Sequence, residues 1–256
     1  MSHFSDIGFK VSSAADVEAL AKEIHDKGQQ YESKNSLSAS WASGNGVELW
    51  LSIEIETKSA SVIPYFSGNG RMQVVVEKLW PQKGSKSLGG FYAWANPELA
   101  KPDEDQLGEY PFVVDVPDFD LVQNSLEIPS TVTMQIAAFA ESVTYYPSIQ
   151  AFDEYQEKQF ESGKHKIKLT VGSFISSGLF QHFVEQQPAS AYFVGEVLET
   201  EERINSHTGQ PIHCAHIRFN GGTMDVVADP AMSSCKPVVG GVIEGGFWLV
   251  GRIIES

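Results

Sequence analysis

Residues 191–228 read AYFVGEVLETEERINSHTGQPIHCAHIRFNGGTMDVVA, and their punctuation predicts three consecutive antiparallel strands. Ala191–Ile204 forms a long first strand, and Ser206-His207-Thr208-Gly209 turns it back into Ile212–Phe219. Asn220-Gly221-Gly222 then turns that strand into Thr223–Ala228, since Asn and Gly tolerate the positive φ of tight hairpins. Asp229–Pro237 reads as a crossover. Val238–Ile254, with glycines paired at 240–241 and 245–246, reads as two closing strands. Gly195 is a candidate bulge in the first strand. Tyr192–Ile254 is thereby expected to hold five strands in a small barrel.

Upstream, Ile7, Phe9 and Val11 alternate with polar residues, predicting a half-buried strand over Asp6–Val11. A helix is expected next, because Val17, Leu20, Ala21 and Ile24 fall on one face. Ser12 or Ser13 would cap it, Asp16 would complete a capping box with Ser13, and Gly28 would end it. The tetrapeptide Ser-Gly-Asn-Gly occurs twice, at 43–46 and 67–70, each time ahead of an apolar strand, Val47–Ile55 and Met72–Trp80. Both copies read as hairpin-type turns. A phosphate cradle would need a helix after the loop, and a strand follows. Asn96–Gly108, with two prolines and the acidic run 103–105, predicts a long loop and a subdomain seam. Strands over Tyr110–Val116, Thr131–Phe139 and Lys166–Phe174 and a helix over Ser148–Phe160 complete the list, with a second break at Glu185–Pro188. The expected class is α+β, mostly antiparallel β with few helices. Its expected organisation is a domain over 1–187, either undivided or built of two related halves at 1–96 and 109–187, followed by the barrel at 188–256.

Composition narrows the function. The 256 residues are 42% hydrophobic and 11% aromatic, enough for sizeable cores, and the formal net charge is -15. Such a surface repels polyanions and anionic lipid at long range, so basic partners are favoured and nucleic acid is disfavoured. Charges at Asp6, Lys10, Asp16 and Glu18 interrupt any secretory signal, and no apolar run approaches the roughly 18 residues that span a bilayer. Two cysteines, Cys214 and Cys235, make no disulfide framework, and the expectation is a cytoplasmic protein away from membranes.

The strand order of Tyr192–Ile254, with Gly195 in the first strand and Gly240–Ile253 closing, resembles the oligonucleotide-binding (OB) fold. That resemblance implies docking on the face of the second and third strands. With Ala215, Ile217 and Phe219 inward, Cys214, His216 and Arg218 point outward, and they are the binding candidates together with Trp248. Single-strand binding would need several cations beside aromatic platforms, yet residues 188–256 hold four Lys and Arg against eight Asp and Glu. His207, His213, Cys214, His216 and Cys235 are of zinc-ligand type, but their spacing does not converge as zinc sites do.

A second resemblance rests on Asp6-Ile7-Gly8-Phe9-Lys10-Val11, the helix to Gly28, and Gly46-Val47-Glu48-Leu49-Trp50-Leu51. These are similar to one module of the vicinal oxygen chelate superfamily, whose paired units shape a metal-bound cleft. The resemblance puts Asp6 and Glu48 at the ligand positions, while Pro111 stands in the first slot of the second module and leaves the set incomplete. No glycine-flanked serine elbow is present. The expected function is therefore a non-catalytic acidic interaction protein of the inhibitor or immunity type, without cofactor, binding a basic protein. Alternatives are a metal-assisted or cleft-type enzyme in the N-terminal region, or single-stranded nucleic-acid binding by the barrel.

Overall fold

The computed structural model describes residues 3–177 and 188–255 and is mostly antiparallel β-structure with three α-helices. The first helix, α1 (Ala14–Lys27), begins where the sequence demands: Ser13 Oγ accepts the Asp16 N–H, and Asp16 accepts the N–H of Ser13. Its inner residues Leu20, Ala21 and Ile24 pack onto a four-stranded antiparallel sheet of β1 (Gln29–Glu32), β2 (Ser36–Gly44), β3 (Val47–Glu54) and β4 (Ala60–Phe66). The first Ser-Gly-Asn-Gly makes the β2–β3 turn, with φ of 94°, 55° and 84° at Gly44, Asn45 and Gly46.

The remaining strands are β5 (Met72–Pro81), β6 (Gly89–Ala95), β7 (Tyr110–Asp115), β8 (Ser130–Tyr146), β9 (Phe174–Ser176), β10 (Ser190–Ile204), β11 (Pro211–Phe219), β12 (Gly222–Ala228) and β13 (Val242–Glu255). They form one nine-stranded sheet organised on a long β8–β13 antiparallel ribbon. One pairing circuit runs β5–β6–β7–β13–β8 and returns to β5; the other runs β10–β11–β12–β8–β13 and returns to β10. In each, the third strand of a meander lies parallel to the distal ribbon strand, while the first lies antiparallel to the proximal one. Residues 72–146 and 190–255 thus follow the same sequence of pairings.

Alternation along the ribbon separates two cores. Met134, Ile136, Ala138, Phe247 and Leu249 join the interior shared by both circuits. Ala137, Phe139 and Val250 face the other way, into the cluster under the four-stranded sheet and α1. Phe193 and Phe247 stack in the first of these with ring centroids 4.1 Å apart. Helix α2 (Phe119–Val122) follows β7, and α3 (Ile149–Glu161), capped by Ser148, buries Phe152 beside the end of β8.

Several expectations are corrected. Tyr192–Ile254 supplies four strands, not five: residues 242–255 make one strand, and the remaining place in its circuit is taken by β8 from much earlier in the chain. The register shift in β10 falls between Val197 and Glu199; Gly195 instead permits close approach of Ile217. Asp6–Val11 is not a strand. Ser5–Ile7 forms a short 3-10 turn ended by Gly8 at φ 81°, and the Ile7 and Gly8 carbonyls accept from Asn205 and Thr208. Of Lys166–Phe174, only Phe174 is in a strand. Asn96–Gly108 is a loop, as read, but it joins two hydrogen-bonded neighbours, β6 and β7. The second Ser-Gly-Asn-Gly links the two sheets instead of turning a hairpin, since β4 and β5 do not pair. Of the break at Glu185–Pro188, all but Pro188 lies outside the described residues.

Candidate functional site

Local chemistry scatters the residues singled out from the sequence. Cys214 is buried in the cluster under the four-stranded sheet, and desolvation pushes its thiol up to about 12. His216 Nδ1 lies 3.3 Å from Asp225, and both line a cavity of about 200 Å³ together with Cys214, Phe66, Gly68 and Asn69. Arg218 is outside that cavity, exposed and paired with Glu196 at 2.6 Å. Asp6 is buried, 3.0 Å from His3 and accepting the Asp229 N–H; its burial raises the carboxyl above the usual range, with His3 opposing. Glu48 accepts from Trp50 and lies 3.9 Å from Arg252. Among the described residues no three His, Cys, Asp or Glu side chains gather as a metal site would require.

Trp248 leads elsewhere, to a cavity of about 540 Å³, within the span typical of ligand sites at roughly 300–1,000 Å³. Its indole stacks on His3, centroids 5.0 Å apart, and donates its N–H to Asp115 at 2.7 Å. Asp115 is the last residue of β7, opposite Gly90 on β6, and Gly89 lines the cavity. A Cβ at Gly90 would overlap the Val114 carbonyl, so glycine is needed for β7 to approach. Glu141 from β8 and Ser190 from β10 complete the polar wall, their side chains 3.4 Å apart. Burial raises the Asp115 carboxyl above its ordinary range, and the Trp248 hydrogen bond only partly offsets this.

The two circuits place an aspartate at matching positions. Asp115 pairs in parallel with Val250, Asp225 pairs in parallel with Ala137, and Val250 and Ala137 pair with each other. Two residues before each ribbon partner stands an N–H donor: Trp248 donates to Asp115, and Gln135 donates to Asp225 at 2.9 Å. The sites differ in their other partners. Asp225 also receives the backbone N–H of Asn69 at 3.1 Å and of Gly70 at 2.7 Å and lies beside His216, whereas Trp248 supplies the hydrogen bond that Asp115 accepts among the described residues.

Register explains the difference. Met72 pairs with Met134 as Ala191 pairs with Phe247, which sets Asn69 and Gly70 equivalent to Pro188 and Ala189. Pro188 has no N–H to give. Both Pro188 and Ala189 line the large cavity, at the place where the other circuit carries its glycine turn and a smaller cavity of about 200 Å³. Glycine is required in that turn, because a Cβ at Gly68 would overlap the Asp225 carboxylate. The N-terminal region also favours one side: Tyr65, at the end of β4, donates its hydroxyl to Gln135.

Asp115, Glu141 and His3 carried no local sequence motif. The usable signal was Leu88-Gly89-Gly90-Phe91, a strand start stripped of side chains, but its partner across the sheet is not legible from spacing. Among the described residues no helix is long and apolar enough to cross a membrane. Comparison with known proteins returns no matching family model, no matching curated protein and no matching solved structure.

Proposed function

We infer that this chain is an acidic binding protein that takes a basic protein partner at the Asp115 cavity. The observation that carries this reading is Asp115 itself: a carboxyl group with one hydrogen bond among the described residues, in a cavity of about 540 Å³ beside Glu141, where its counterpart Asp225 is surrounded by donors. Indole faces and carboxylates together suit ammonium and guanidinium groups. The net charge of -15 steers such a partner at long range. An inhibitor or immunity-type role fits this chemistry. The test is titration with an arginine- and lysine-rich peptide, followed through the Trp248 indole resonance. Affinity is expected to fall roughly tenfold or more in Asp115→Asn and Glu141→Gln, as for lost charge-assisted hydrogen bonds. Binding unchanged in both variants overturns the reading.

A cleft-type enzyme has one observation in its favour, the raised Asp115 carboxyl sharing a cavity with Glu141, an acid-and-base pairing. A bell-shaped pH–rate profile lost in Asp115→Asn would support it. The pairing order of β10–β13 with β8 supports an OB-like reading of that circuit, with β8 as its fifth strand. Its outer face is poorly suited to single strands, because Arg218 is paired with Glu196 and Phe219 and Phe247 are buried.

A further inference from the structure

The chain contains a narrower, donor-supplied version of its Asp115 site, with a cavity of about 200 Å³ at Asp225 against about 540 Å³ at Asp115, and those donors identify the ligand chemistry. At Asp225 the occupant is the turn Ser67–Gly70, which presents two consecutive backbone N–H groups to one carboxylate. It can lie there only because Gly68 and Gly70 have no Cβ to strike Asp225 and Met224. At Asp115 the equivalent segment carries Pro188, which has no N–H, in the position of Asn69; among the described residues neither Pro188 nor Ala189 donates to the carboxylate, and a cavity of about 540 Å³ stands in front of it.

The geometry points to a glycine-containing turn of the protein partner as the group that enters this cavity, its consecutive backbone N–H groups donated to Asp115 as Asn69 and Gly70 donate to Asp225. The assignment rests on the proposed binding of a basic protein and specifies which part of that partner makes the central contact. Basic side chains around the turn would meet Glu141 at the rim. The chain's own turn does not compete, because it is tethered to Asp225 at high effective concentration.

The probe is the capped octapeptide YFSGNGRM, the sequence of residues 65–72, added to the full chain. Its binding is read by calorimetry and by the shift of the Trp248 indole N–H resonance. Saturable binding is expected, weakened roughly tenfold or more in Asp115→Asn and, independently of any protein variant, by proline in place of the peptide's asparagine or by alanine in place of its first glycine. Circular dichroism and thermal melting verify that Asp115→Asn folds. Equal binding of the proline and glycine-turn peptides overturns the inference. If a lysine-rich peptide without glycine binds through Asp115 while YFSGNGRM does not, the glycine-turn assignment fails and the broader reading stands. If neither binds, both fail.

Discussion

Asp115 and Asp225 occupy matching register positions and meet different surroundings among the described residues, one held by a single indole N–H, the other by three N–H donors with His216 alongside. The raised Asp115 carboxyl has a consequence for stability. Its folded pKa lies above the unfolded value near 3.8, so its stabilising contribution is present at low pH and is lost as pH rises through the folded value. Asp115→Asn is therefore expected to melt higher than the parent at neutral pH while losing ligand, a stability–function exchange measurable by calorimetry. His213 carries the opposite sign. It is buried, neither ring nitrogen is hydrogen-bonded among the described residues, and desolvation lowers its pKa, with Glu202 and Asp229 opposing and Lys236 assisting. The folded state then resists protonation: stability is full above the unfolded value near 6.5 and declines as pH falls toward the lowered folded value. Urea denaturation at several pH values should show that slope, and His213→Leu should flatten it.

At the level of elements, the second Ser-Gly-Asn-Gly shows how one motif serves two purposes. The first copy turns β2 into β3 through positive φ; the second seats against Asp225 through its missing side chains. Gly68→Ala must displace the turn or the carboxylate and is expected to cost about 1–3 kcal/mol in urea denaturation, as overpacking does. A cost below about 0.5 kcal/mol would show that the seat is not tight. The capping box of α1 was legible from Ser13 and Asp16 because it is local, and Ser13→Ala should cost about 1 kcal/mol. Asp6–Val11 misled for a related reason. Alternation of Ile7 and Phe9 reports burial, and both are buried, but the backbone there is satisfied by Asn205 and Thr208 instead of by a neighbouring strand.

For the whole molecule, the ribbon of β8 and β13 makes the two circuits interdependent. Each supplies residues to a common interior, so a lesion in the ribbon is felt on both sides. Ile136→Ala is expected to cost about 2–5 kcal/mol and to lower the stability of the whole sheet in one transition. Coincident fluorescence and circular-dichroism curves would show this; separated curves would mean that the circuits unfold independently. A fragment ending at residue 187 lacks β13, the partner of β8 along most of its length, and is expected to remain unfolded by circular dichroism.

What the sequence by itself determined is the local and the periodic: α1 and its cap, α3 behind Ser148, the β10–β11–β12 meander, the β2–β3 turn, and a formal net charge of -15. Each depends on neighbours within a few residues or on composition alone. Only the tertiary structure decided that β8 takes the fifth place beside β10–β13, and that Asp115 and Asp225 are counterparts. Those facts depend on strand register between segments about a hundred residues apart, which hydrophobic alternation leaves free along the chain and which only the packing of both faces of the ribbon selects.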